Sequence, residues 1–300
     1  MLLDFKEAVS FFKTLPSSLR YPSFHPDYLA SDASRVPNAV ASFFIYQEGL
    51  DTFYFPFLLI PHEEKKDSFV VESAYGYGGP LLTNEKKDFI QRSYGNFRSW
   101  CREKNIVREF IRFHPLLENW KHYDGPTFLN RETVWIDLTR EFQYEQRVRT
   151  AIKKAEKHLT VQIDTRGESY DLFREVYLEG MKLIGAQEFY LFKKEYFDRL
   201  KKWEDVFSLF AYYEGKCVAA SLFLRSEKEM EYHLSACLEV GRKFSASNLL
   251  IHRAAELGRN EGLSYLHLGG GNTTESDNKL LFFKSGFSPL RSSFYIGKKE

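Results

Sequence analysis

The chain predicts an α/β (α+β) fold in two domains, residues 1–140 and 141–300, each a mixed sheet with flanking helices. Three observations carry this. Its 300 residues exceed what one ordinary hydrophobic core organises and suit two cores of moderate size. Short runs rich in Val, Ile, Phe and Tyr, bounded by Gly and Pro, alternate with longer stretches of helical period. Aromatic residues reach 17%, with 28 Phe and 18 Tyr, a composition suited to sheet packing and to stacking surfaces.

Charge sets no global field. Lys plus Arg (42) balances Asp plus Glu (41), so binding of a polyanion requires a local patch. Cys101, Cys217 and Cys237 are odd in number and far apart, matching neither a disulfide framework nor a zinc pattern, which favours a reducing cytoplasm. The opening residues MLLDFKEAVSFFKTLP carry Asp4 and Glu7 among their apolar positions and lack a signal-peptide core. They read as a helix with Leu3, Ala8, Phe11 and Phe12 on one side. The longest apolar run, Phe53 to Ile60, is far too short to span a bilayer, so no membrane insertion is expected. A soluble, cytoplasmic protein is the expectation.

The elements follow in order. After the first helix comes a proline-studded loop over 16–37. Strands at 39–46 and 52–60 flank the turn Gln47-Glu48-Gly49, and a third at 69–71 runs into Tyr75-Gly76-Tyr77-Gly78-Gly79-Pro80. A helix over 84–104, capped by Asn84, places Phe89, Tyr94, Phe97, Trp100 and Cys101 near helical spacing. Strands at 106–113 and 133–138 complete the first half. The next helix, 141–158, buries a stripe of Val148, Ile152, Ala155 and Leu159. Its Arg147, Arg149, Lys153, Lys154 and Lys157 read either as a solvated face or as a phosphate-binding patch. A strand from Val161, helices at 170–183 and 193–203, and strands at 206–213, 216–224 and 230–236 come next. A helix at 247–261 and a last strand at 292–296 frame the remaining stretch, 263–287.

That stretch, LSYLHLGGGNTTESDNKLLFFKSGF, holds the sharpest local signal. Tyr265 to Leu268 is a short buried strand, and Gly269, Gly270 and Gly271 admit positive φ and the close approach of a ligand. Ser276 or Asp277 caps a short helix carrying Leu280, Leu281, Phe283 and Lys284. Lys284 either ends that helix as favourable C-terminal charge or points into a site.

Several segments together resemble a known family. They are YGYGGP (75–80), IRFHPLLEN (111–119), VWIDL (134–138), RVRTAIKKAEK (147–157), EFYLFKKEYF (188–197), EYHLSA (231–236), ASNLL (246–250) and LHLGGG with LLFFKSGFS. In this order the chain resembles the Fem-like branch of the GNAT acetyltransferase superfamily, peptidoglycan-bridge aminoacyltransferases and their shorter relatives. The resemblance implies two tandem GNAT-like domains, the first on the acceptor side and the second an acyltransferase domain, with the acceptor cleft at their junction. It also implies transfer of an aminoacyl or acyl group to an amine of a cell-envelope, peptidoglycan or polysaccharide precursor. The donor is aminoacyl-tRNA or acyl-CoA acting as co-substrate, with no tightly bound cofactor and no stable protein partner. Partners are then the small-molecule or nucleotide-linked precursor, and tRNA. An acetyl-CoA-dependent acetyltransferase on an amino sugar is the alternative enzyme. A non-catalytic nucleotide-sugar or tRNA binder on the same scaffold is the third reading.

The resemblance assigns residues. Phe283 and Lys284 match the Phe-Lys pair at the reacting ester, where an ammonium stabilises charge developing on the carbonyl. No protein base stands out. Tyr75, Tyr77 and Gly78 form a stacking ledge for the acceptor, or merely end a strand. Arg112 binds a phosphate or pairs with Glu109. Relatives place an Arg for acceptor phosphate between the positions of Met181 and Gly185; this chain departs with Lys182, Leu183 and Ile184 there, Lys182 being the substitute cation. Arg242, Lys243, Ser245, Ser247 and Asn248, with Gly269 and Gly270, would line the donor, although serines replace the glycines of a CoA pyrophosphate loop. The helical tRNA arm of some bridge-forming enzymes is missing from this sequence. His233, His267 and His114 read as core histidines, and no metal site is expected.

Overall fold

A computed structural model describes residues 1–273 and 278–300, and the chain divides there into two units, Met1–Arg131 with Ser293–Glu300, and Glu132–Ser292. Sequence pattern alone places the boundary nine residues later, at 140/141, and does not return the last residues to the first unit.

In the first unit, β1 (Leu2–Leu3) leads into α1 (Phe5–Phe12), which opens on a reciprocal capping box between Asp4 and Glu7. The stretch 16–37, expected to be loop, holds a second helix, α2 (Pro26–Ala33). Pro26 sits at its first position, where a missing N–H is no loss, and His25 Nδ1 accepts from Asp27 N at 3.2 Å. Proline starts a helix here instead of breaking one. The expected hairpin is β2 (Val40–Glu48) and β3 (Asp51–Pro61), followed by β4 (Phe69–Glu72) and β5 (Leu81–Leu82). Helix α3 (Lys87–Glu103) begins three residues later than expected. Asn84 Oδ1 accepts from Lys86 N at 2.8 Å, so it caps the turn before the helix. With β6 (Ile106–Arg112) the sheet order is β1-β2-β3-β4-β6, and only β4 and β6 are parallel. Phe44, Phe53, Phe55 and Phe57 meet Phe97 and Trp100 of α3 in a core of stacked and edge-on rings.

The second unit takes β7 (Thr127–Asp137) from Glu132 onward, then α4 (Gln146–Glu156), β8 (Thr160–Asp164), α5 (Tyr170–Leu183) and α6 (Lys194–Leu200). The meander β9 (Val206–Tyr213), β10 (Lys216–Arg225) and β11 (Glu229–Cys237) follows. Next come α7 (Glu239–Lys243), α8 (Ala246–Asn260), β12 (Tyr265–Gly270) and α9 (Lys279–Ser285). The sheet order is β7-β12-β11-β10-β9-β8, with β11 and β12 parallel. The expected stripe Val148, Ile152, Ala155 and Leu159 is buried against Leu249, Leu250 and Ala254 of α8 in one apolar core. Gly180 lets α5 press onto β11, since a Cβ there would lie 2.6 Å from Ala236 Cβ.

Finally β13 (Arg291–Lys299) brings residues from 293 on back to the first unit, where it pairs antiparallel with β6, Ile296 opposite Arg112. Tyr295 stacks on Trp120 with ring centroids 4.0 Å apart. Among the described residues no helix is long and apolar enough to cross a membrane.

Candidate active site

Strands β11 and β12 are partners over only three pairs, Glu229–Tyr265, Met230–Leu266 and Glu231–His267. Beyond these, β11 continues along β10 to Cys237 while β12 follows β7 to Gly270, so the two strands part and leave a wedge. Two irregularities accompany the parting. Leu222 pairs with Leu234 but Phe223 with Tyr232, which leaves His233 as the extra residue of a bulge. On β12 the register slips between His267 and Gly269, and Gly269 adopts φ +74°, open to glycine without strain. Along the wedge, Tyr232, Ser235 and Cys237 stay half-buried, whereas their β10 partners Phe223, Ser221 and Ala219 are fully enclosed.

Lys284 reaches this wedge from α9. The helix is capped by Asn278, whose Oδ1 accepts from Leu281 N at 3.0 Å; the expected caps Ser276 and Asp277 lie outside the described residues. Lys284 is only 7% exposed, and its Nζ donates to Gly270 O at 2.8 Å and lies 5.9 Å from the Tyr232 ring centroid. It is therefore not a solvated helix end. Phe283 is half-buried and meets Phe287 edge-on at 5.6 Å. Arg147 locks the last turn of α9: its Nη2 donates to Phe282 O at 2.6 Å and its guanidinium covers the Phe282 ring at 4.0 Å. Lys154 likewise donates to Lys243 O at 2.6 Å. Two of the five cations between 147 and 157 thus hold backbone carbonyls, which narrows the expected phosphate patch to Arg149, Lys153 and Lys157.

The segment expected to line the donor is more ordered than a phosphate loop. Arg242 and Lys243 belong to helix α7, and Arg242 Nε donates to Cys237 O at 3.1 Å. Gly241 is demanded by crowding, since a Cβ would stand 2.4 Å from Val218 O. Ser245 holds the cap position of α8 at φ +61° without a side-chain cap bond. The Cys237 thiol donates to Leu238 O at 3.7 Å, and burial raises its pKa. Asn248 is half-buried; its backbone N donates to Ser245 O at 3.0 Å, and its side-chain amide has no hydrogen-bond partner among the described residues. Lys182 is exposed in the last turn of α5. His233 Nε2 meets the Tyr196 hydroxyl at 2.5 Å, and His267 Nδ1 lies 3.9 Å from Glu229 Oε1. Burial pushes the Glu229 carboxyl well above the usual carboxylate range. Sequence reading gave Glu229 no role, because an acid at a strand end looks like ordinary surface charge. Two surface cavities of about 420 and 470 Å³ in this unit are lined by other residues, around Arg259 and Arg253.

In the first unit the YGYGGP segment is pinned from several sides. Gly78 N donates to Arg112 O at 2.7 Å, and Asn119 Nδ2 donates to Gly78 O at 2.9 Å. Gly79 (φ +95°) leaves no room for a Cβ beside Asn119 and Phe113. Tyr75 N donates to Asp32 Oδ2 at 2.8 Å, and the Tyr28 hydroxyl donates to Tyr75 O. Tyr77 stands edge-on to His114 and Phe294 at 5.3 and 5.4 Å. Sequence reading missed Arg35, which pairs with Asp32 at 2.7 Å and covers the Tyr75 ring at 4.9 Å. Arg112 does not pair with Glu109, which is taken by Arg98 and by the Tyr123 hydroxyl at 2.9 Å. The Arg112 guanidinium has one long bond, Nη1 to Ser73 O at 3.4 Å, and packs on Phe110 at 4.5 Å. No carboxylate among the described residues forms an ion pair with it, and burial pulls its pKa down. Glu72 and Asp32 act on it only at longer range, so this largely desolvated guanidinium has donors to offer an anion.

The parted parallel strands, with a helix after the central strand, define an acyltransferase-type domain, and the comparisons bear this out. Residues 143–279 match the acetyltransferase (GNAT) domain family. Over the whole chain the fold is that of FemX (TM-score 0.75, 12% identity, covering 98% of this chain and 96% of that one). It is also that of the C-terminal domain of a protein assigned as a lysylphosphatidylglycerol synthetase from Agrobacterium fabrum (TM-score 0.67, 15% identity, 99% and 93%). A tandem GNAT protein from the clavulanic acid biosynthesis pathway is a third likeness (TM-score 0.52, 10% identity, 97% and 92%). No curated protein matches the chain in sequence. Residues 143–279 thus carry an acetyltransferase (GNAT) domain, in a chain whose fold is that of FemX and of a tandem GNAT protein.

Proposed function

We propose that the protein moves an aminoacyl group from aminoacyl-tRNA to an amine of a cell-envelope or polysaccharide precursor. The observation that supports this most is the ammonium of Lys284, buried at the wedge and fixed by Gly270 O. The acceptor nitrogen attacks the ester carbonyl; the C–N bond forms, the C–O bond to the departing sugar breaks, and the departing oxygen takes the amine's proton. That oxygen is basic enough to serve, so the route asks for no protein base. Lys284 stabilises the oxyanion, and Phe283 walls the acyl group. The first unit, as acceptor side, offers Arg112 and Arg35 to a phosphate and Tyr75, Tyr77 and Gly78 as a ledge. On the donor side stand Ser247, Asn248, Gly269 and Gly270, with Arg242, Lys243 and Ser245 beside them, and Lys182 assists at the acceptor's phosphate. FemX and the synthetase domain, as fold relatives, are in keeping with aminoacyl transfer.

A second reading, acetyl-CoA as donor, is favoured by the acetyltransferase family match over 143–279 and by the first turn of α8 at Ser247 and Asn248. Thermal-shift titration separates the two, because a ligand that binds only the folded state raises the midpoint. Uncharged tRNA and uridine-diphosphate N-acetylglucosamine are expected to raise it. A rise with acetyl-CoA alone overturns the donor assignment. Lys284→Met, which keeps the side-chain length, is expected to lose transfer by roughly 10²- to 10³-fold with the midpoint preserved. Transfer at an undiminished rate would remove the lysine from the chemistry, and a cellular role that survives the change would favour the non-catalytic binder.

A further inference from the structure

Helix α9 delivers Lys284, yet little in the helix itself decides where that lysine stands. Its seven residues are too few to hold a helix in shape alone. No apolar side chain of α9 is fully buried. Leu281 and Phe283 are half-buried, Leu280 and Phe282 are exposed, and Lys284 is the one enclosed residue. The first end of the helix is set by the Asn278 cap.

The other end is held from α4. Arg147 Nη2 donates to Phe282 O, a carbonyl of the last turn, at 2.6 Å, and the guanidinium lies over the Phe282 ring at 4.0 Å. Glu145 orients that guanidinium, accepting from Arg147 Nε at 2.6 Å, while Glu145 N donates to Gly286 O at 2.8 Å. Gly286 makes room for the clasp. Its backbone is right-handed helical, at φ −66°, so glycine is not needed there for a positive φ. A Cβ would instead stand 2.6 Å from Val148 Cγ2 and 2.7 Å from Arg147 Nη2.

We infer that Arg147 is a positioning residue: by holding the last turn of α9, it sets where the Lys284 ammonium stands against Gly270 O. It acts only through the helix. A planar guanidinium suits this task, because its edge bonds Phe282 O and Glu145 while its face covers a ring. A lysine can reach the carbonyl but cannot lie flat. The inference rests on the transfer reading for its effect on rate, and on geometry alone for the placement.

Competitive labelling of the intact protein with a trace of acetic anhydride, read by peptide mass spectrometry, tests the placement without any substrate. Lys279, exposed on the same helix, is the internal reference. In the wild type, Lys284 is expected to label far more slowly than Lys279. Arg147→Gln should raise the Lys284-to-Lys279 ratio about tenfold, the worth of one hydrogen bond to a charged group. Arg147→Lys should restore most of the wild-type ratio. Gly286→Ala, which keeps the arginine but takes its space, should raise the ratio as Arg147→Gln does. In transfer assays with aminoacyl-tRNA, Arg147→Gln is expected to lower kcat by about 10²-fold and leave KM unchanged. An unchanged labelling ratio in both Arg147→Gln and Gly286→Ala overturns the inference and leaves aminoacyl transfer standing. So does a fall in the urea midpoint large enough to account for the faster labelling, which would make Arg147 a general clamp. If the ratio rises as expected while Lys284→Met transfers at an undiminished rate, the lysine's role in the chemistry falls and the placement stands.

Discussion

The proposed function makes Arg112 a residue kept for binding, which differs testably from one kept for stability. Its guanidinium is desolvated, holds one long bond to Ser73 O and has no ion pair among the described residues. Replacing it with Met, of similar length and no charge, removes a desolvation penalty and keeps the packing on Phe110. Arg112→Met is therefore expected to melt at or above the wild-type midpoint and to lose the thermal shift given by uridine-diphosphate N-acetylglucosamine. A large fall in midpoint would make Arg112 a structural residue. His25 carries a pH dependence. Burial, then the nearby Lys13, lowers its pKa from 6.5 to about 4. The unfolded chain therefore takes up the proton first as pH falls. The stability is full above about pH 6.5 and drains toward pH 4, at no more than about 1.4 kcal/mol per pH unit. His25→Asn keeps a capping side chain for α2 without the titration, so urea melts of this variant should show a flatter decline over that window. Equal slopes would assign the decline elsewhere. At this scale the sequence pointed to Lys284 and Arg112, because a lysine after an apolar run and an arginine between apolar strand residues are visible patterns. Arg35 and Glu229 were not visible, since their meaning arises only from neighbours distant in the chain.

Elements were legible where period and burial agree. Helix α5 and strand β9 have the bounds the pattern predicts, because amphipathic spacing and β-branched or aromatic content set them locally. The wedge was not legible in that way. It arises from a bulge at His233 and a register slip beside Gly269, and register depends on the partner strand. Helix α7 was given no element from the sequence for a related reason: its Gly241 serves a close contact that only a neighbouring strand creates. A Cβ there would meet Val218 O at 2.4 Å and Cys237 Sγ at 2.9 Å. The first of these is backbone and cannot swing aside. Gly241→Ala should therefore destabilise the second unit by about 1–3 kcal/mol, despite alanine's better helix propensity, and displace Cys237 and Arg242 from the wedge. Urea unfolding followed through that unit checks it; a stabilised variant would mean that α7 can shift away from β10 freely.

For the whole molecule, two cores were foreseen from length, but the path of the chain between them was not. Nothing local marks residues 293–300 as belonging with the first unit, since a short strand of mixed polarity reads the same wherever it docks. Its place is set by long-range partners. Ile296, Gly297, Lys298 and Lys299 pair with Arg112 back to Glu109, and Gly297 packs so close to Phe113 and Tyr123 that a Cβ would clash at 2.8–3.0 Å. Tyr295 adds its stack on Trp120. Deleting residues 293–300 strips β6 of its antiparallel neighbour and uncovers these rings. The loss should exceed the about 3 kcal/mol of a damaging point substitution, since backbone pairs and ring burial go together. Hydrogen exchange read by peptide resolves where the damage falls. Amides of β6, residues 106–112, should exchange much faster in the truncated chain, while those of β9 to β11 keep their protection. Unchanged protection over 106–112 would show that β13 is an accessory strand, and uniform loss across β9 to β11 would show that the two units unfold as one cooperative body.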